Sequence, residues 1–192
     1  MKIFVILILI NNIAFANTVY EVDLNKSALN WSATKVGGGH SGVINPKVGT
    51  ITLIKNDISK GHLTVDMNSI TCLDIKDQEL NNKFINEIKS DVFFNVKKYP
   101  EASLKIKKLI FSKGGSYEAI GDLKIRGVNN SVTLDLNIER NKDTIKIKSK
   151  FEFDRTKFNI YTESTSLMSF FGNKIVDDNV KIEVDLTFIK PK

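Results

Sequence analysis

The chain has 192 residues, 42% hydrophobic and 26% charged, with one cysteine, two histidines and a formal net charge of +6. This length suits one domain with a real core, and one cysteine excludes an internal disulfide. The lysines alternate with apolar residues and mix with Asp and Glu, the pattern of solvated faces and not of a nucleic-acid-binding surface; weak, transient contact with an anionic membrane surface is compatible with it.

Met1-Lys2, the apolar run Ile3 to Ile10 and Ala14-Phe15-Ala16 are the three parts of a secretory signal peptide. Residues 1–16 are therefore expected to be cleaved, leaving 17–192 as one exported domain. The apolar run is far shorter than the roughly 20 residues that span a bilayer. Weak strands are expected at Thr18–Asp23, Ala28–Lys35 and Val43–Ile54, with a glycine-rich turn at Gly37-Gly38-Gly39. Leu63, Val65 and Met67 alternate with His62, Thr64 and Asp66. The period then changes. Leu80, Phe84, Ile85 and Ile88 fall at helical spacing within 77–88, and Ser90-Asp91 reads as a fresh helix start before Pro100 closes the insertion.

Downstream, period-2 alternation dominates. Leu104 and Ile106 alternate with lysines, and Leu109 and Phe111 continue past Lys108 through an expected bulge. Tyr117 to Ile125 form the next strand. Val132, Leu134, Leu136 and Ile138 face polar neighbours, and Arg140 to Asp143 suit a hairpin turn before Ile145, Ile147, Ser149, Phe151 and Phe153. A greasy stretch over 162–173 carries Leu167, Met168, Phe170 and Phe171 and reads as a short helix or loop. Val180, Ile182, Val184, Leu186 and Phe188 form the last strand, alternating with Lys181, Glu183, Asp185 and Thr187.

Strands with one apolar and one charged face must bury the apolar faces together. Eight or nine of them in an uninterrupted series predict an all-β fold: a single antiparallel eight-stranded barrel with one or two short helical insertions. At that size the interior can be filled by side chains or hold one small ligand, and both remain open at this point.

Catalytic chemistry is not expected. His40 and His62 lack metal-ligand spacing, and no nucleophile elbow or phosphate-binding loop is present. Asp177-Asp178 and Asp74/Asp77 read as solvated turn acids, and Cys72 as a small packing residue. The expectation is a binding protein with neither metal nor catalytic cofactor, not an enzyme.

Four segments in order resemble the YceI-like family of bacterial polyisoprenoid-binding proteins. Gly121-Asp122-Leu123-Lys124-Ile125-Arg126-Gly127-Val128 resembles its G-D-L-T-I-R-G-V run. Asp91-Val92-Phe93-Phe94-Asn95-Val96 with Tyr99-Pro100 resembles its D-x-F-F-x-V…Y-P stretch. Arg155 to Ile160 resembles R-x-x-F-G-I with Asn159 in place of Gly, and Trp31 to Gly42 is similar to a glycine-rich variant branch. The resemblance implies a lipocalin-like barrel, a long apolar tunnel for an isoprenoid chain such as a polyprenyl tail or quinone, and a periplasmic location.

On that reading the lining residues are Trp31, Leu63, Val65, Leu104, Ile106, Leu123, Leu134, Leu136, Phe151, Phe153 and Val184, with Phe93, Phe94, Phe170 and Phe171 at a mouth. His40, Arg126 and Arg155 are candidates for a head group. The role would be lipid carriage or storage, and a monomer or a dimer would serve it. Two other readings share the alternation: a small outer-membrane barrel with the greasy face outward, and a ligand-free interaction module with a packed core.

Overall fold

The computed structural model describes residues 17–35, 37–55, 57–162 and 176–191. The strands are β1 (Thr18–Val22), β2 (Ala28–Lys35), β3 (Gly38–Ile54), β4 (Asp57–Asp66), β5 (Glu101–Phe111), β6 (Ser116–Ile125), β7 (Val128–Arg140), β8 (Thr144–Asp154) and β9 (Val176–Ile189). The helix α1 spans Gln78–Lys89. From β2 to β9 each strand pairs antiparallel with the next, and β2 also pairs with β9, closing a ring of eight. β1 pairs with the far half of β3 and the end of β9. It therefore shares one strand position with β2, and a 3-10 turn at Leu24–Lys26 interrupts that position.

The alternation explains the closure. Leu134, Leu136 and Ile138 on β7, Ile145 and Phe153 on β8, and Val180, Leu186 and Phe188 on β9 are buried in one core. Their neighbours face outward and pair across strands: Lys150 to Glu183 at 2.7 Å, and Lys148 to Asp185 and Lys181 to Glu152 at 3.6 Å. Such exposed pairs add a few tenths of a kcal/mol each; the closure comes from the apolar side.

Several local expectations are met and two are corrected. The bulge in β5 lies between Ile106 and Lys108. Ile125 pairs with Val128 across a two-residue turn in which Arg126 (φ 49°) and Gly127 (φ 79°) are both left-handed, the geometry that suits strand twist. β3, however, begins at Gly38, not Val43, because Gly38 and Gly39 pair with Lys35 and Thr34 instead of forming the turn. A Cβ on Gly39 would come within 2.7 Å of the Ala33 carbonyl oxygen, so the glycine permits this pairing.

The second correction concerns Ser90. Asp77 caps α1 by accepting a hydrogen bond from the Leu80 N–H at 2.9 Å. Ser90 ends that helix instead of starting another: its N–H and hydroxyl both donate to the Glu87 carbonyl. The Phe94 N–H then donates to Ile88 and the Val96 N–H to Lys89, folding residues 91–94 into a turn against the helix end. α1 is the one α-helix among the described residues, and the 162–173 insertion lies almost wholly outside them.

The register between β7 and β8 ends at Leu136–Ser149. Beyond it, the 3-10 helix Arg155–Phe158 packs against β7, where Asn130 Nδ2 donates to the Lys157 carbonyl at 2.7 Å. Phe158, 1% exposed, meets Phe153 edge-on at 5.6 Å. Asn159, at φ 61°, lets the chain turn inward to the fully buried Ile160. The two barrel ends consequently differ. One is closed by short turns at 54–57, 111–116 and 140–144, and the other carries the long connections over 67–100 and 155–175.

Candidate functional site

The eight walls do not fill the space they enclose. A cavity of about 570 Å³ runs through the barrel, within the range of ligand sites. It extends from Phe84, Phe93 and Arg155 at the long-connection end to Ile147, Leu186 and Phe188 toward the other. Its wall is overwhelmingly aliphatic and aromatic.

The polar groups around it are mostly engaged or at the rim. Ser149 is buried, and its hydroxyl donates to the Asp135 carbonyl at 2.8 Å. Trp31 Nε1 donates to the Thr71 carbonyl at 3.1 Å, leaving the indole surface as apolar wall. Lys35, His40, Glu87 and Arg155 border the cavity at the long-connection end. Thr50, His62 and Ser103 border it from β3, β4 and β5.

Trp31, Leu63, Val65, Phe93, Phe94, Leu104, Ile106, Leu123, Leu134, Leu136, Phe151, Phe153 and Val184 all border this one cavity. Phe170 and Phe171 lie outside the described residues. Of the head-group candidates, His40 and Arg155 border the cavity and Arg126 does not. Arg126 is instead a half-buried clamp, donating to the Asp91 carbonyl at 2.7 Å and to the Asn159 carbonyl.

Arg155 is 3% exposed and heavily bonded. Its Nε donates to the Asp177 carbonyl, Nη1 to those of Ile160 and Thr162, and Nη2 to that of Val176. Nη2 also lies 3.4 Å from Asp178 Oδ1, and the guanidinium faces the Phe93 ring at 6.0 Å. These bonds make Arg155 a tie between the end of β8 and the start of β9 at the border of the cavity.

The sequence reading missed part of the wall. Phe84 and Ile88 border the cavity from α1, and their helical spacing was the available signal. Leu29, Ile44, Ile51 and Ile70 do so from the weakly patterned N-terminal part of the chain. The Phe84 ring stands 4.4 Å from the His40 ring and 6.4 Å from Trp31, so α1 covers the barrel end through aromatic contacts.

Behind that rim, His40 Nδ1 lies 2.8 Å from Asp74 Oδ2, and the Cys72 thiol donates to Asp74 Oδ1 at 3.1 Å. The Ser41 N–H also donates to Oδ1, at 2.9 Å. Burial pushes the Asp74 carboxyl up, but the hydrogen bonds from Ser41, His40 and Cys72 outweigh it and hold the group below the usual carboxylate range. Burial raises the Cys72 thiol above its ordinary value.

The YceI-like domain matches residues 20–188. The chain belongs to the YceI-like family. No curated protein matches it. Among solved structures, Burkholderia cenocepacia BcnA is similar at 20% identity and TM-score 0.68, over 86% of this chain and 98% of that one. A polyisoprenoid-binding domain from Saccharophagus degradans, implicated in plant cell wall breakdown, shares 15% identity at TM-score 0.67, over 91% and 99%. The Campylobacter jejuni YceI protein shares 20% identity at TM-score 0.55, over 71% and 75%.

Residues of the segments that resemble the family meet at the long-connection end of the barrel. Arg126 ties the β6–β7 turn to Asp91 and Asn159, and the Tyr99 ring lies so close to Gly127 that a Cβ there would be 2.9 Å from it. Asn159 of this YceI-like chain is left-handed at φ 61°, a conformation that asparagine tolerates.

Proposed function

We propose that the protein carries or stores a long-chain isoprenoid-type lipid, with the hydrocarbon tail in the barrel and the head at the long-connection end. The observation that carries this reading is the cavity: about 570 Å³ bordered mostly by Leu, Ile, Val and Phe, with its ionisable groups concentrated at the rim. Each tail CH₂ transferred there from water gains roughly 0.8 kcal/mol, so hydrophobic burial alone is a sufficient binding force. Family membership and the likeness to a polyisoprenoid-binding domain support the same class of ligand. His40 and the rim residues Lys35 and Glu87 are the groups available to a polar head.

The orientation of the strands favours a carrier over the two other readings. A barrel in a bilayer needs an apolar exterior, whereas Lys148, Lys150, Glu183 and Asp185 form the exposed face of β8 and β9. A ligand-free module needs a filled interior. No described helix is long and apolar enough to cross a membrane. The role proposed is binding without catalysis, in the periplasm after removal of residues 1–16.

Native mass spectrometry of the protein purified from its host tests the proposal. The expected result is a chain beginning at Asn17 with one neutral lipid that organic solvent releases; an empty protein at native abundance overturns the carrier reading. Release on osmotic shock is expected for the periplasmic location, and retention in the cytoplasm overturns that part.

A further inference from the structure

Three metal-ligating side chains of different kinds converge beside the cavity mouth. His40 Nδ1, Cys72 Sγ and a carboxylate oxygen of Asp74 all lie within 4.8 Å of one another. We propose that His40, Cys72 and Asp74 form a binding site for a divalent, borderline-soft metal ion of the Zn²⁺ type. The site adjoins the cavity through His40 only, since Cys72 and Asp74 do not border it; metal uptake is read without lipid, so failure of this site and failure of the lipid reading are told apart.

The backbone holds the arrangement in place. His40 belongs to β3, and Cys72 and Asp74 to the segment that follows β4. The Thr71 N–H donates to the Val43 carbonyl at 3.0 Å and the Leu73 N–H to the Ser41 carbonyl at 2.9 Å, which fixes the register of that segment on β3. The lack of a side chain at Gly42 admits the Thr71 carbonyl, and the Ser41 N–H anchors the Asp74 carboxylate. Of the ligand atoms, Asp74 is thus held by the main chain, and His40 is held by the Phe84 ring at 4.4 Å. This is the support that metal ligands need to keep their orientation.

Donor chemistry points to the ion class. Thiolate, imidazole and carboxylate are the zinc donor set, with bonds of about 2.0–2.3 Å. Tetrahedral angles at those bond lengths separate ligand atoms by roughly 3.3–3.6 Å. His40 Nδ1 lies 2.8 Å from Asp74 Oδ2 and Cys72 Sγ 3.1 Å from Asp74 Oδ1, and with all three ligand atoms within 4.8 Å of one another, side-chain torsions suffice to bring them to that spacing. Charge also balances: a dication with one thiolate and one carboxylate is neutral, which suits a half-buried position. Binding expels the thiol proton and uses the Nδ1 lone pair of the imidazole, with the ring proton on Nε2. Three protein ligands leave a fourth position for water. The hydrogen-bond order argues against a catalytic triad, since Cys72 donates to Asp74 and not to His40.

Cobalt(II) reports on this site directly, because a thiolate ligand gives an intense near-ultraviolet charge-transfer band and tetrahedral geometry gives strong visible bands. The reduced, metal-stripped mature chain is expected to take up one Co²⁺ with both signatures and to lose them when Zn²⁺ is added. Cys72→Ser is expected to abolish the charge-transfer band and weaken Zn²⁺ binding by at least about 100-fold, while circular dichroism shows a folded barrel. Failure of the wild-type protein to bind Co²⁺ or Zn²⁺, or a charge-transfer band unchanged in Cys72→Ser, overturns the proposal. The wild-type spectrum decides the matter even if a variant misfolds.

Discussion

The carbonyl oxygen of Thr71 sits where Gly42 would carry a side chain: a Cβ at Gly42 would lie 1.7 Å from that oxygen and 2.8 Å from Trp31 Nε1. The same oxygen accepts the hydrogen bond from Trp31. One missing methyl group thereby lets the post-β4 segment lie on β3 and orients a cavity-wall indole.

Gly42→Ala is therefore expected to push the 70–74 segment off the barrel, at a cost of about 3 kcal/mol. A fall in Tm of roughly 6–12 °C should accompany it. Trp31 is the protein's sole tryptophan, so its fluorescence reports the displacement. An unchanged melting curve and emission spectrum would contradict the packing described.

Leu136 is 8% exposed and borders the cavity, while the adjacent Asp135 faces outward. Leu136→Glu places a carboxylate in an apolar wall and is expected to cost several kcal/mol and abolish lipid loading. Asp135→Ala is expected to change stability by less than about 0.5 kcal/mol, since Ser149 uses the backbone carbonyl of Asp135 and not its side chain. Chemical denaturation and extraction of bound lipid measure both; equal effects would mean that the faces are wrongly assigned.

Arg155→Met removes the donor shared by four carbonyls and the cation beside Asp178, whose side chain is 15% exposed. Breaking such a buried pair costs about 3–5 kcal/mol. Adding Asp178→Asn is expected to restore part of the loss, because the carboxylate that faced the guanidinium is then neutral. Urea unfolding of the two variants and the double variant tests the coupling; strict additivity would sink it.

Asp74 gives the pH dependence a definite sign. Its carboxyl binds a proton more weakly in the folded chain than in the unfolded one, so folding is favoured where both forms are ionised. The contribution is complete above about pH 5 and fades as pH falls through the ordinary aspartate value near 4 and on toward the lower folded value. Asp74→Asn should therefore be less stable than wild type near neutrality, with the gap narrowing in acid. Urea midpoints measured across pH 3–7 check this; a gap that widens in acid reverses the assignment.

The strands from Val132 to Phe188 were legible because a barrel wall has one wet and one dry face, and alternation records that directly. The same alternation could not distinguish a cavity from a packed core, since Leu136 looks alike in both; the difference lies in the volume left around the whole ring. The start of β3 was hidden because Gly38 and Gly39 carry no side chain to show a face, and pairing with β2 decided their structure. Arg155 looks in sequence like any other cation, because its carbonyl partners have no signature there. His40, Cys72 and Asp74 were likewise invisible as a group: backbone pairing across separate segments brings them together, and no local spacing encodes it.

The seam between β2 and β9, where Leu29 pairs with Val184, joins the opening of the domain to its close. Until the final residues are available, β2 has a partner on one flank only. Loop-closure entropy then makes this junction a late event in folding. A nascent chain would expose an incomplete wall to any neighbouring strand, so the protein's most vulnerable period is the interval before β9 is in place.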